Sequence, residues 1–127
     1  MNDTIKPTDS ELEILNILWE KGPSTVRQVH EVLEQNKEAG YTTTLKLMQI
    51  MHEKQLLTRN ETAKSHIYTP NVSQEKTQGQ FLKKVIDNVF NGSASQLVMQ
   101  ALGNYKTNSE ELEEIKKYLD EIEKRNK

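Results

Sequence analysis

The 127-residue chain contains no cysteine, which excludes disulfides, thiol nucleophiles and thiolate metal sites and is compatible with a reducing cytoplasm. Long apolar runs are also missing. The N-terminal "MNDTIKPTDSE" is polar, and the apolar residues after it are too few and too interrupted by charge to cross a bilayer. The chain therefore reads as a soluble cytoplasmic protein with no direct membrane binding. His30, His52 and His66 form no His-x-x-x-His pair and have no thiol or clustered acids around them, so no metal is expected. A Gly-rich phosphate loop, a nucleophile motif and a pair of inward carboxylates are likewise absent, so neither a cofactor nor enzymatic activity is expected. No charge of one sign dominates: 17 Lys and Arg face 19 Asp and Glu, a net −2 at pH 7.

That global balance is a weak argument against nucleic acid, because phosphates respond to cations within a Debye length of about 10 Å. From Tyr41 to His66 the basic residues are Lys46, Lys54, Arg59 and Lys64 against Glu53 and Glu61, a local charge of +2. At about 100 to 200 residues per domain, the length admits one ordinary domain or a small domain with a helical appendage.

The first helix starts after Pro7. Thr8 and Glu11 have capping-box spacing, Leu12, Ile14, Leu15, Leu18 and Trp19 supply an apolar face, and Gly22-Pro23 ends it. Ser24 is positioned to cap a second helix with Val26, Val29, Val32 and Leu33 inward. In "GYTTTLKLMQIMHEKQ" the spacing turns Tyr41, Thr44, Leu45, Met48, Met51 and Gln55 to one side of a third helix, with Thr42, Lys46, Gln49 and Glu53 on the other. Two β-prone runs follow, Leu56 to Arg59 and His66 to Thr69, around a polar turn from Asn60 to Ser65. Three short helices closed by a hairpin make a winged helix-turn-helix. Threonines at the start of its recognition helix serve as simple caps or as DNA contacts: short hydroxyls let backbone amides approach phosphates and base edges. Thr42 and Thr43 then meet phosphate or a thymine methyl, and Lys46 and Gln49 reach toward bases or backbone. Arg27 and Gln28, in the first turn of the second helix, are backbone clamps in the same scheme.

From Ser73 the character changes. Phe81, Leu82, Val85, Ile86, Val89 and Phe90 form a dense helical stripe, Asn91-Gly92 breaks it, and Leu97, Val98, Ala101 and Leu102 form a shorter helix ending at Gly103. In the last helix Leu112, Ile115, Leu119 and Ile122 follow the 3-4-3 spacing of a coiled-coil seam. These helices have no second layer of their own, and the same helices of a second copy complete the core most economically. The expected fold is mainly α with a small β-hairpin wing: a winged-helix DNA-binding domain over residues 1–72 and a helical dimerisation domain over 73–127. Dimer contacts are expected from Phe81, Leu82, Val85, Val89, Leu97, Val98, Leu112, Ile115, Leu119 and Ile122.

"PTDSELEILNILWEKGPSTVRQVHEVL", "YTTTLKLMQIMHEKQLLTR" and "IYTP", occurring in this order and spacing, resemble the penicillinase-repressor family of BlaI, MecI and CopY-type regulators. The resemblance extends over nearly the whole chain, to "ELEEIKKYLDEI". It implies a dimeric winged-helix repressor on a palindromic operator of double-stranded DNA, with the C-terminal helices forming the dimer. Carried over, the recognition helix is Thr42 to Lys54, with Thr42, Thr43 and Lys46 at DNA-facing positions and Lys64 in the wing. Several positions depart from the family's pattern. Ile50 stands where arginine is frequent, Gln55 where glycine follows the recognition helix, and Lys64-Ser65 where the wing usually carries Gly-Arg. In the β-lactam-responsive branch an upstream membrane sensor leads to cleavage of an Asn-Phe bond, and this chain has Gln100-Ala101 there. The copper-responsive branch senses through a cysteine cluster, which this chain lacks. The competing reading is a winged-helix protein-interaction module that binds no DNA, favoured by the net negative charge and an outward Ile50.

Overall fold

In the computed structural model, which describes residues 6–62 and 64–127, helix α1 (Asp9–Lys21) begins at a reciprocal cap. The Glu11 amide donates to Thr8 Oγ1 at 3.2 Å and the Thr8 amide to Glu11 Oε1 at 2.9 Å, which satisfies two of the amides a helix start leaves unpaired. Gly22 ends α1 at φ 89°, with its amide donating to the Leu18 carbonyl, a conformation that glycine adopts without strain. The polar residues 1–5 and Ala63 of the wing turn lie outside the described residues.

Ser24 does not cap the next helix. Its backbone exchanges two hydrogen bonds with Tyr68, at 3.1 and 2.8 Å, and its hydroxyl donates to the Gly22 carbonyl. With Ser24 held in that bridge, the cap passes to Thr25, which forms a second reciprocal box with Gln28 and opens α2 (Val26–Leu33). Val26, Val29 and Leu33 are buried as expected, and Val32 is only half-buried.

Helix α3 (Tyr41–Glu53) buries Thr44, Met48 and Met51. Two residues expected on that side lie elsewhere. Tyr41 is 38% exposed because it occupies the first helical position, at the rim of the core. Gln55 is exposed because it lies past the helix end, at φ 70°. Around it the Gln55 amide donates to the His52 carbonyl and the Leu56 amide to the Met51 carbonyl, the paired closure that usually places glycine at this left-handed position. Buried Leu56 and Met51 complete the closure with an apolar pair.

The hairpin is β1 (Leu57–Asn60) against β2 (Ile67–Pro70), antiparallel, with Arg59 opposite Tyr68. β1 starts one residue later than its β-prone run, because the Leu56 amide is used in closing α3, and β2 runs from Ile67, opposite Asn60, to Pro70, opposite Leu57. Ile14, Leu15, Leu18, Val29, Met48, Met51, Leu56, Leu57 and Tyr68 form one core. Trp19 packs at its edge and donates from Nε1 to the Val72 carbonyl. No helix among the described residues is long and apolar enough to cross a membrane.

Packing divides the chain into two compact units, Met1–Phe81 and Leu82–Lys127. Helix α4 (Gln74–Val89) runs through the division, and Asn91 and Gly92, both at positive φ, break the chain before α5 (Ala94–Asn104). Gly103 lies inside α5 rather than ending it, and the helix closes against extended Tyr105. Helix α6 (Ser109–Arg125) starts at a third reciprocal cap, between Asn108 and Glu111, with acids in its first turn and cations in its last. No residue of α5 or α6 is buried.

A backbone test follows from Gln55. Gln55→Gly removes the left-handed strain of about 1 kcal/mol and restores part of the unfolded chain's freedom. Stability in urea is expected to rise by about 0.5 kcal/mol, whereas glycine at an ordinary helical site lowers it.

Candidate nucleic-acid interface

Burial of Thr44, Met48 and Met51 determines what α3 presents outward. Thr42, Thr43, Lys46, Gln49 and Glu53 are all exposed. The helix start is capped by Gly40 without any side-chain bond and carries no acid in its first turn, so its amides and positive dipole end remain available to an anion.

Polar links hold this helix at both ends. Near its start, His30 is 6% exposed, with Nδ1 3.0 Å from Thr44 Oγ1 and Nε2 3.4 Å from a Glu34 carboxylate oxygen. His30 thus acts as a core histidine joining α2 to α3. Its ring also meets Tyr41 edge-on, with centroids 5.5 Å apart. At the other end Lys54 Nζ lies 2.8 Å from Oε2 of Glu11, a carboxylate only 2% exposed. Burial pushes the Glu11 carboxyl up, but the Lys54 ammonium and the Thr8 amide and hydroxyl outweigh it and hold the group below the ordinary carboxylate range.

The residues expected to meet DNA fall into three groups. Thr42, Thr43, Lys46 and Gln49 share the outward side of α3. Arg27 is exposed on α2 and its guanidinium stands 5.1 Å from the Tyr41 ring centroid, which brings it to the start of α3. Gln28 is also exposed, but its side-chain oxygen accepts from the Thr25 amide, so it caps α2 with only its amide hydrogens left over. Lys64 is exposed in the turn of the wing, on a different element from the α3 row.

The local charge of +2 is distributed unevenly. Lys54 is committed to Glu11, and Arg59 makes two bonds to Glu61 Oε2, at 2.8 and 2.6 Å. Tyr68 and then Glu61 raise the Arg59 guanidinium above its ordinary value, and Arg59 in turn lowers the Glu61 carboxyl. Among the described residues Lys46 and Lys64 form no ion pair.

The Glu11–Lys54 pair and the His30–Thr44 contact were not foreseen from sequence. One signal was present: Glu11 precedes Ile14, Leu15 and Leu18 by three, four and seven residues, which is the spacing of the buried face. An acid on such a stripe requires a buried partner.

Three helices with the third turned outward, followed by a two-stranded wing, define a winged helix-turn-helix protein. The chain matches the penicillinase repressor family model over residues 7–121 and belongs to that family. It is 21% identical to a penicillinase repressor of Staphylococcus aureus over 98% of each chain. Identity is 23% to the methicillin resistance regulatory protein MecI of Staphylococcus aureus, over 93% of this chain and 96% of that one. The transcriptional regulator BlaI of Mycobacterium tuberculosis is 35% identical over 63 residues, 49% of this chain and 46% of that one.

Glu11 supplies a pH test. Its carboxyl is lowered by folding, so its contribution is full above the unfolded value of about 4.3 and is lost as pH falls through the lower folded value. Lys54→Met takes the ammonium from a buried carboxylate that keeps its bond from the Thr8 amide, and because Lys54 is itself 39% exposed it should cost about 1–2 kcal/mol at pH 7. Urea unfolding at pH 7 and pH 3 should show the stability gap between the two proteins closing in acid.

Proposed function

We propose that the chain is a sequence-specific transcriptional repressor that binds double-stranded DNA as a homodimer, with residues 1–72 on the DNA and residues 73–127 forming the dimer. The observation that carries this reading is the outward side of α3. Thr42, Thr43, Lys46 and Gln49 are exposed there on a helix whose opposite side is buried and whose first turn has neither acid nor side-chain cap. This is the composition a helix needs to enter the major groove: close backbone approach at its start, then an amine and an amide with the reach to meet base edges or phosphate. Lys64 adds a wing contact, and Arg27 a backbone contact beside Tyr41. The names of these relatives, a penicillinase repressor, a regulatory protein and a transcriptional regulator, agree with it.

The dimer reading is supported by exposed apolar side chains. Phe81, Leu82, Val89, Val98, Leu112 and Leu119 are between 39% and 66% exposed. Leaving such stripes in water forfeits about 25 cal/mol for each Å² of apolar surface. A second copy covers them with identical stripes. Two-fold symmetry then requires a near-palindromic operator, and anything that loosens the paired helices weakens binding by removing one head. An upstream membrane sensor-protease is the partner the family resemblance brings. Gln100-Ala101 lies inside α5, so a cut there requires the helix to open first.

A mobility shift on the DNA upstream of the chain's own gene, repeated across salt concentrations, tests the reading. A specific band whose affinity falls steeply with salt is expected; absence of both favours the protein-docking module. Lys46→Ala should weaken specific binding by about 1–3 kcal/mol if the amine reads a base, and weaken all sequences evenly if it meets phosphate. Leu119→Asp places a charge in the seam, and sedimentation should find a monomer.

A further inference from the structure

Helix α3 carries one aliphatic side chain that is neither part of the core nor among the residues packed against it. Ile50 follows Met48 by two residues, about 200° around a helix of 3.6 residues per turn, and Met48 is fully buried. Ile50 therefore lies off the buried side of α3, half-buried on the flank between the outward row and Leu47. Leu45 and Leu47 pack against the core from the flanks of α3, and Ile50 is not among the residues that do so. Its neighbours on the outward side are Lys46, one turn earlier, and Thr43, two turns earlier, both exposed. Lys54, one turn later, is bent to Glu11.

We propose that Ile50 is a specificity-determining residue that packs on the 5-methyl group of a thymine in the major groove. The inference rests on the DNA-binding reading and adds the base to it. Base edges in the major groove present donors, acceptors and one apolar group, the thymine methyl. An isoleucine has no polar atom, so on phosphate or on any other base edge it only strips water from groups it cannot replace. Set among hydroxyl, amine and amide groups, it rejects three bases at its step and accepts the fourth. Its short branched chain makes that contact at close range, which the hydroxyl-led start of α3 permits.

The test uses duplexes recovered by the full chain from a randomised double-stranded pool. In the recovered half-site each thymine is replaced in turn by deoxyuridine, which removes the methyl group and leaves the hydrogen-bonding edges unchanged. One position per half-site should lose about fourfold in affinity, the factor given by burial of one methyl group. Ile50→Ala should bind the thymine and deoxyuridine probes equally, and Ile50→Val should keep part of the difference. Three results overturn the inference: a half-site without thymine, no position where the methyl group matters, or the same fourfold loss in Ile50→Ala. Recovery of a defined half-site with any of these leaves the DNA-binding reading standing, whereas recovery of no preferred sequence overturns both.

Discussion

The fixed rotation of α3 about its own axis is the constraint on which the rest of this molecule depends. Thr44, Met48 and Met51 point into the core, and everything the helix presents follows from that. A slip of one residue would turn the helix by about 100° and exchange lysine and amide groups for methionine. Apolar burial supplies most of the energy but little angular precision, since a stripe of unbranched side chains repacks easily. The two polar links supply that precision. His30 on Thr44 and Glu11 with Lys54 act at opposite ends of the helix, and His30, Thr44 and Glu11 are buried, where a misaligned partner is costly.

Those links also govern the charge at the surface. A lysine and an arginine in the basic stretch are consumed within the fold, one by a buried acid and one along the wing. What remains outward on α3 is short hydroxyls, one amine, one amide and the carboxylate of Glu53, with half-buried Ile50 beside them. Such a surface carries little net positive charge, in keeping with a chain whose net charge is −2. The two halves of the chain differ in how they settle their apolar residues. Ahead of α4 the stripes close on one another around Tyr68, whereas α5 and α6 bury nothing. Their helices are nonetheless well specified locally: Ser93 caps α5, and Asn108 with Glu111 caps α6.

Relatives at 21 to 23% identity span nearly the full length of this chain. A core defined by spacing and volume tolerates such divergence. Ile50 and Gln55 illustrate two kinds of departure from the family pattern. Ile50 changes what the outward side can contact, while Gln55 sits at φ 70° and changes only the strain at the helix end.

Sequence alone determined what depends on short range: the reciprocal cap of Thr8 and Glu11, the outward row from Thr42 to Gln49, the hairpin, and the breaks at Gly22 and at Asn91-Gly92. Each is set by a few consecutive residues and by a period of 3.6 or 2. Tertiary structure alone decided which hydroxyl capped α2, because Ser24 was claimed by Tyr68, 44 residues away in sequence. It also decided that Lys54 would neutralise Glu11 rather than face outward, and that Tyr41 would lean on Arg27. Those outcomes depend on the distance between segments remote in the chain, and local periodicity carries no information about that distance.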